Sequence, residues 1–518
     1  MITEREVLES VLGEPLRRTR EVEVEEEQER ELAPGVLWRR CRLRFHPERS
    51  DRPERLCVNE IEADANVASL EPVFALDHTH LCDTEEIEDA YWATRWASAE
   101  FRTSGGLREP RLYVGTAPLL NAWVSEGWRV AGTLAAESGA DQTLQHLHSL
   151  EERLHPLPAF VAPGHNPTGR AGIARWLPAM PPSRLALARP DVIAALPAGF
   201  FLNFPEEFED GHSALHQPVG LLKTSEDFVM PPWVERPCFI ESGRGGGRLA
   251  MVGPGAVRLE VGGFAVPLHR GSDQPDAPHG AVWLAWDAPE RRPNPPHDAA
   301  ALVFSGKVLV GWGAAKRGQR PPVGGALVWL TGEPARHVLA HSEEPVRRPP
   351  SHELGLDAEL EAAVSAFAAG PVLVRDGRAL ARDEIFSRGA AGEFHPQGPP
   401  PMRFRHGAED SPAPRAALCL REGGWRLLVV DGRRAAEHSA GLRLEGLAKL
   451  CELRGAREAL NLDGGGSAVL AIEGAHPGDA ITGGLARGVV SYPSDDGGRE
   501  RIVPTILAVT APHGHCPL

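Results

Sequence analysis

From Pro190 onward the chain is cut into short apolar runs by glycine and proline, and no other feature limits its folding as strongly. Runs such as "DVIAALPAGFF", "RPCFIES", "VRLEVGGFAVPL" and "GALVWLTG" have strand length, and their β-branched and alternating apolar residues favour extended backbone. The connectors "APERRPNPPHD" and "EEPVRRPPSHE" are too rich in proline to continue a helix. The pattern predicts an α+β fold dominated by strands.

The N-terminal part reads differently. "EVEVEEEQEREL" (Glu21 to Leu32) is an acidic run, expected as a solvated helix face or a flexible lead-in, so residues 1–33 are set apart as a charged lead-in. "PGVLWRRCRLRF" and "LCVNEIEA" then read as strands. "DTEEIEDAYWATRWASAEF" and "DQTLQHLHSLEERLH" carry apolar residues at helical spacing, which makes 80–185 a helix-rich insertion, closed by a proline-rich stretch near 156–184.

The last hundred residues are the most legible. "WRLLVVDGRR" is a strand ending at Asp431-Gly432. "RLEGLAKLCELRG" places Leu444, Leu447, Ala448 and Cys451 on one helical face and stops at Gly455. "EALNLDGGG" is a buried strand ending at Asp463, and Asp376-Gly377 in "GPVLVRDGR" signals a hairpin. A strand, helix, strand unit therefore aims Asp431 and Asp463 at strand ends, where sites are often built.

Composition narrows the function. A formal net charge of −16 argues against nucleic acid and anionic membranes as partners. Only four lysines occur, so nearly all positive charge is arginine, which suits bidentate contacts to phosphate or carboxylate. No stretch approaches the length of a membrane span, and the charged start lacks the apolar core of a signal peptide. Seven scattered cysteines without CxxC spacing suggest a reducing compartment, so a cytoplasmic location is expected, with no disulfide framework and no cofactor. "ALDHTHLCD" holds Asp77, His78, His80, Cys82 and Asp83, all possible metal ligands, but no partner cluster follows downstream and no metal is expected there.

In "NLDGGGS", consecutive glycines let backbone N–H groups converge on an anion, beside a carboxylate whose charge must be used or capped. One physical solution is a sugar phosphate, with Asp463 working on the anomeric carbon; the plain alternative is a tight turn in which Asp463 caps local amides. The turn is no phosphate loop of the GxxxxGK[ST] type, since no lysine follows, and no dinucleotide fingerprint, since "AVLAI" follows where a helix is needed.

Several ordered motifs resemble the phosphodiester glycosidase family, whose members include N-acetylglucosamine-1-phosphodiester alpha-N-acetylglucosaminidase and bacterial exopolysaccharide-associated proteins. They fall on Arg415-Ala416-Ala417, Val430-Asp431-Gly432-Arg433, Gly441 to Ala448, Asn461 to Ser467, Pro493-Ser494-Asp495 and Arg501. "ALPAGFF" resembles the family's Asn-Gly-Gly-Phe-Phe, with Pro197 and Ala198 standing where the family has Asn and Gly. The resemblance implies one β-rich domain over 34–512, interrupted by the 80–185 insertion, with 400–512 carrying the motifs. It implies a hydrolase that cleaves the glycosidic bond of a sugar-1-phosphodiester, in a small molecule or a glycan. Asp463 is then the catalytic carboxylate and Asp431 the second one. Arg415 and Arg501 hold phosphate, while Asn461, Gly464, Gly465, Gly466 and Ser467 line the substrate, and His438 is a candidate proton shuttle or a plain surface histidine. Two other readings are a catalytically inactive relative that binds glycans or sugar phosphates, and a metal-dependent hydrolase centred on the His78-Thr79-His80 stretch.

Overall fold

The computed structural model describes residues 4–75, 159–162, 172–176, 181–201, 214–270, 282–284, 295–385 and 411–511, apart from 18–19, 187–188, 216–217, 226–227, 231, 233–234, 244–245, 267, 296, 306–307, 317–324, 343–347, 475–487, 495–499 and 502. The chain opens with helix α1 (Glu4–Leu12), which buries Leu8 and Val11. Strands β1 (Glu23–Ala33), β2 (Val36–Phe45) and β3 (Glu54–Asp64) follow as an antiparallel meander, then β4 (Ser69–Phe74).

The acidic run is thus a strand, where a helix face or flexible lead-in was expected. The reason lies across the ladder. Glu23 faces Arg44 and Glu29 faces Arg39 in register, with ion-pair distances of 3.2 and 2.6 Å. Arg40 and Arg42 reach Glu26, and Arg55 of β3 reaches Glu25. The glutamates of β1 repel one another in isolation, but with arginine-rich strands beside them Glu23, Glu25, Glu26 and Glu29 each gain an arginine partner. A like-charged run therefore becomes an edge strand once its partner is in place.

Later in the chain come β5 (Val192–Pro197), β6 (Arg236–Glu241), β7 (Ser365–Ala368), β8 (Val372–Arg375), β9 (Arg378–Ala379), β10 (Arg415–Arg421), β11 (Gly424–Val430), helix α2 (Leu444–Leu453), β12 (Glu458–Asn461), β13 (Ala471–Ile472) and β14 (Thr505–Thr510). The largest sheet has the order β1-β2-β3-β11-β10-β12-β8-β9, so chain ends far apart in sequence share one ladder. A second sheet, β13-β5-β14-β4, packs its alanines and valines into the same core and a smaller cluster around Val503 and Ile506. β6 and β7 belong to a third sheet, and among the described residues three further sheets, of three, five and three strands, complete the β-rich architecture.

Local signals set the turns. Asp376 and Gly377 both have positive φ and join β8 to β9 as the expected hairpin. Helix α2 buries Leu444, Leu447, Ala448 and Cys451 and ends before Gly455 at φ +77°. Gly446 on α2 lies so close to α1 that an added Cβ would stand 2.1 Å from the Val11 carbonyl oxygen, which docks the N-terminal helix on α2. The helices expected at 83–101 and 141–155 lie outside the described residues; elsewhere in 80–185 the described residues form two short strands, Ala159–Ala162 and Gly172–Trp176, and one helical turn, Pro182–Leu185. No helix among the described residues is long and apolar enough to cross a membrane.

Candidate functional site

β10 pairs antiparallel with both β11 and β12, so those two strands run parallel and end at the same edge of the sheet. Asp431 is the first residue past β11, and Asp463 is the second past β12. The two turns meet on the backbone of Pro414. Gly465 N–H donates to the Pro414 carbonyl at 2.9 Å, while a Cβ on Gly432 would stand 2.5 Å from Pro414 N. Only glycine fits this crossing at position 432.

Asp463 lies where the two main sheets join. Leu462 N–H donates to the Ala416 carbonyl of β10, and Asp463 N–H to the Ala198 carbonyl just past β5, at 2.9 and 3.0 Å. Ala198 itself donates to Thr505 O at 3.3 Å. Its neighbour Gly199 passes within 2.2 Å, measured from a Cβ built on it, of the Ala368 carbonyl oxygen. Ala198 therefore serves Asp463 through its backbone carbonyl, where the resembling motif offers an amide side chain from the position of Pro197.

Gly465–Ser467 closes as a 3₁₀ turn. The N–H groups of Gly465, Ser467 and Ala468 donate to the carbonyls of Pro414, Gly464 and Gly465. Of the triplet's own amides, Gly465 N–H is spent on the Pro414 carbonyl, outside the turn. Side chains also approach the turn. Arg501 Nη1 donates to Ser467 Oγ at 3.4 Å, Arg433 Nη1 donates to Ser494 Oγ at 3.2 Å, and Ser494 Oγ donates to Gly465 O at 3.3 Å. A Cβ on Gly465 would stand 3.0 Å from Arg433 Nη2. Two guanidinium groups thus converge on the glycine turn, and Asp495 of the same motif lies outside the described residues. Beside Arg501, burial pushes the Glu500 carboxyl up to about 6, although Ser183 donates to it from both N–H and Oγ.

The other expected site residues are tied more tightly into the fold. Arg415 is buried, and its guanidinium donates to the Leu442 and Ser411 carbonyls at 2.9 and 3.1 Å. Asn461 is buried with its Nδ2 donating to Gly370 O at 2.8 Å. His438 is no surface residue. It is 6% exposed, its Nε2 is 2.7 Å from Asp431 Oδ2, and its ring lies 5.2 Å from that of Tyr492.

Asp431 is wholly buried and held on three sides. Its N–H donates to Cys57 O at 3.0 Å, Ser439 Oγ donates to its carbonyl at 2.6 Å, and Cys57 N–H donates to Ser439 Oγ at 3.1 Å. Cys57, Asp431 and His438 each offer one ligand atom, all within 4.8 Å of one another. Burial, and after it the Asp431 carboxylate, push the Cys57 thiol well above its ordinary range. The metal-ligand candidates at 77–83 lie outside the described residues.

Three residues of the site were not singled out from sequence: Arg433, Ser494 and Cys57. Arg433 and Ser494 sit inside quoted motifs, so the motif positions themselves were the available signal. Cys57 carried none, because its partner is on another strand.

Residues 313–510 match the phosphodiester glycosidase family. The match includes every residue of the Asp463 turn and of the Asp431 loop, whereas β1–β5 and Cys57 precede it. A search of the curated proteins matched none of them. Among solved structures, a putative exported protein from Burkholderia pseudomallei K96243 is 18% identical, with 96% of this chain and 98% of that one covered at a TM-score of 0.46. A hypothetical protein from Synechocystis is 16% identical with a TM-score of 0.42, covering 94% of this chain; this chain spans 64% of its length. The zebrafish N-acetylglucosamine-1-phosphodiester alpha-N-acetylglucosaminidase catalytic domain, auto-inhibited by its pro-peptide, is 12% identical, with 95% and 89% covered and a TM-score of 0.34.

Proposed function

We propose that the protein hydrolyses the bond between the anomeric carbon and the phosphate oxygen of a sugar-1-phosphodiester. The observation that carries this reading is the convergence of Arg433 and Arg501 on the turn that bears Asp463, within the part of the chain that matches the phosphodiester glycosidase family. A phosphodiester leaves as a stable anion, so positioning and charge stabilisation matter more than protonation of the leaving group. Guanidinium groups suit its oxygens, as they bind them in pairs.

In this reading Asp463 attacks the anomeric carbon or activates the water that does, and the two arginines hold the phosphate beside it. Asp431 is the second carboxylate, fixed by His438. Arg415 acts from beneath, its buried guanidinium tying the Ser411 and Leu442 backbone next to Pro414. Asn461 does the same for β12 through its bond to Gly370. The substrate is a small molecule or a glycan carrying the phosphodiester.

Purified protein incubated with a panel of sugar-1-phosphodiesters, including α-GlcNAc-1-phospho-methylmannoside, is expected to release free sugar, and Asp463→Asn to abolish release with its thermal melt unchanged. Release that survives Asp463→Asn, or none from any member of the panel alongside no binding to it, overturns the reading.

A further inference from the structure

A second cluster of chemically able side chains shares Asp431 with the proposed site and is buried in the largest sheet. We propose that Cys57, Asp431 and His438 form a site for one zinc-class divalent cation, held by Cys57 Sγ, a carboxylate oxygen of Asp431 and a ring nitrogen of His438.

The three ligands come from three segments, β3, the end of β11 and the loop after it, and all three are buried. Their ligand atoms lie within 4.8 Å of one another. Around a tetrahedral zinc, with bonds of about 2.0–2.3 Å, ligand atoms stand roughly 3.3–3.8 Å apart. Side-chain adjustments of under about 1 Å close that difference.

Two buried groups without hydrogen-bond partners among the described residues lie on this face. Asp431 Oδ1 is fully buried and accepts no hydrogen bond among the described residues, while His438 reaches only Oδ2. A buried carboxylate oxygen without a partner is costly, and a cation is a natural one. Asn59 stands two residues beyond Cys57 on β3, hence on the same face of the sheet. It is 0% exposed, and neither its Oδ1 nor its Nδ2 is bonded among the described residues. Its amide oxygen is a candidate for a fourth position on that face. Arg40, which pairs with Asn59 in the ladder, has its charge held by Glu26 at 3.0 Å and by the Val490 carbonyl.

The backbone beneath the ligands is already fixed. Ser439 Oγ bridges Cys57 N–H and the Asp431 carbonyl, and Asp431 N–H returns to the Cys57 carbonyl. Outer contacts of this kind orient ligands and raise affinity. The donor set selects the ion. A thiolate with an imidazole and one carboxylate suits zinc or cobalt, whereas magnesium and calcium take oxygen shells. One thiolate and one carboxylate also neutralise a divalent charge inside the core, which a buried site requires.

The test uses the full chain, stripped with a chelator under reducing conditions and titrated with Co²⁺ alone. Saturation at one equivalent is expected, with a thiolate-to-cobalt charge-transfer band and the strong visible absorption of a tetrahedral ion, both displaced by Zn²⁺. Cys57→Ser is expected to lose the charge-transfer band and His438→Gln to weaken binding at least tenfold. Lack of saturable uptake, or a band that persists in Cys57→Ser, overturns the proposal. X-ray absorption of the zinc-loaded wild type guards against a variant that fails to fold: one sulfur per zinc supports the site, and a shell of nitrogen and oxygen only overturns it. Every readout is independent of sugar release, so this inference and the proposed hydrolysis stand or fall separately.

Discussion

His438 Nε2 lies 2.7 Å from Asp431 Oδ2, and the carboxylate it meets is 0% exposed. Removing the ring strands a buried acid. Leaving a buried carboxylate without its hydrogen-bond donor costs about 1–3 kcal/mol, and more where the group is charged. His438→Ala on metal-stripped protein is therefore expected to lower the unfolding free energy in urea by about 3 kcal/mol or more. His438→Gln, which keeps an N–H donor of similar reach, should recover part of it. A loss below about 1 kcal/mol in the alanine variant would show that the carboxylate finds another partner.

Gly465→Ala separates strain from function at the glycine turn. Gly465 has φ +62°, and its Cβ would meet Arg433 Nη2 at 3.0 Å. Left-handed backbone costs an alanine about 1–2 kcal/mol, and the guanidinium must also move. Gly455 offers a control, with φ +77° and nothing within 4 Å of its Cβ. Both alanine variants should lose about 1 kcal/mol in thermal or urea unfolding. Only Gly465→Ala is expected to depress sugar release, by tenfold or more, since only it displaces Arg433. Equal activity in the two variants would remove Arg433 from the site.

What was legible in the sequence was local. The Asp376-Gly377 hairpin, the buried face of α2 and the placement of Asp431 and Asp463 past strand ends all depend on residues within a turn or two of each other. The misread elements depend on partners remote in the chain. Glu23 to Glu29 look like a solvated run until Arg39, Arg40, Arg42 and Arg44 are laid against them. Cys57 reads as a strand cysteine until a hydroxyl 382 residues away bonds its amide. The glycine triplet was read either as an anion-binding nest or as a tight turn, because glycine permits both, and the structure places a 3₁₀ turn at Gly465–Ser467. Sequence spacing could not choose between these two uses of the same residues.

The arginine–glutamate ladder gives a graded prediction. Arg39 and Glu29 are about half exposed, at 43% and 56%, whereas Arg40 is 4% exposed. Arg40 donates to Glu26 and, from inside the core, to the Val490 carbonyl at 3.0 Å. Glu29→Ala is expected to change stability by less than about 1 kcal/mol, an effect that fades in 1 M salt as the pair is screened. Arg40→Ala should cost about 3 kcal/mol and persist in salt, because it leaves a buried carbonyl unmet and Glu26 with Arg42 alone. Urea unfolding of both variants at two salt concentrations measures the contrast. Equal losses would mean that the ladder acts as one exposed surface network.

The last prediction concerns pH. Glu241 on β6 is 4% exposed, and its Oε1 accepts no hydrogen bond among the described residues. Burial, and after it the nearby Glu71 carboxylate, raise its pKa from 4.5 to about 7. The folded state therefore holds a proton that the unfolded chain releases. Below pH 4.5 both states are protonated and this group leaves stability intact; as pH rises through about 7 the folded state must ionise a buried acid, and stability falls. The full loss is at most about 3 kcal/mol, reached above that pKa. Glu241→Gln is neutral throughout, so it should match the wild type near pH 4.5 and exceed it at pH 8, with the gap opening between those values. Thermal melts of both proteins across that range test the sign. A gap that does not grow with pH would mean that Glu241 is ionised in the folded protein at no cost, and that a cation or water reaches it.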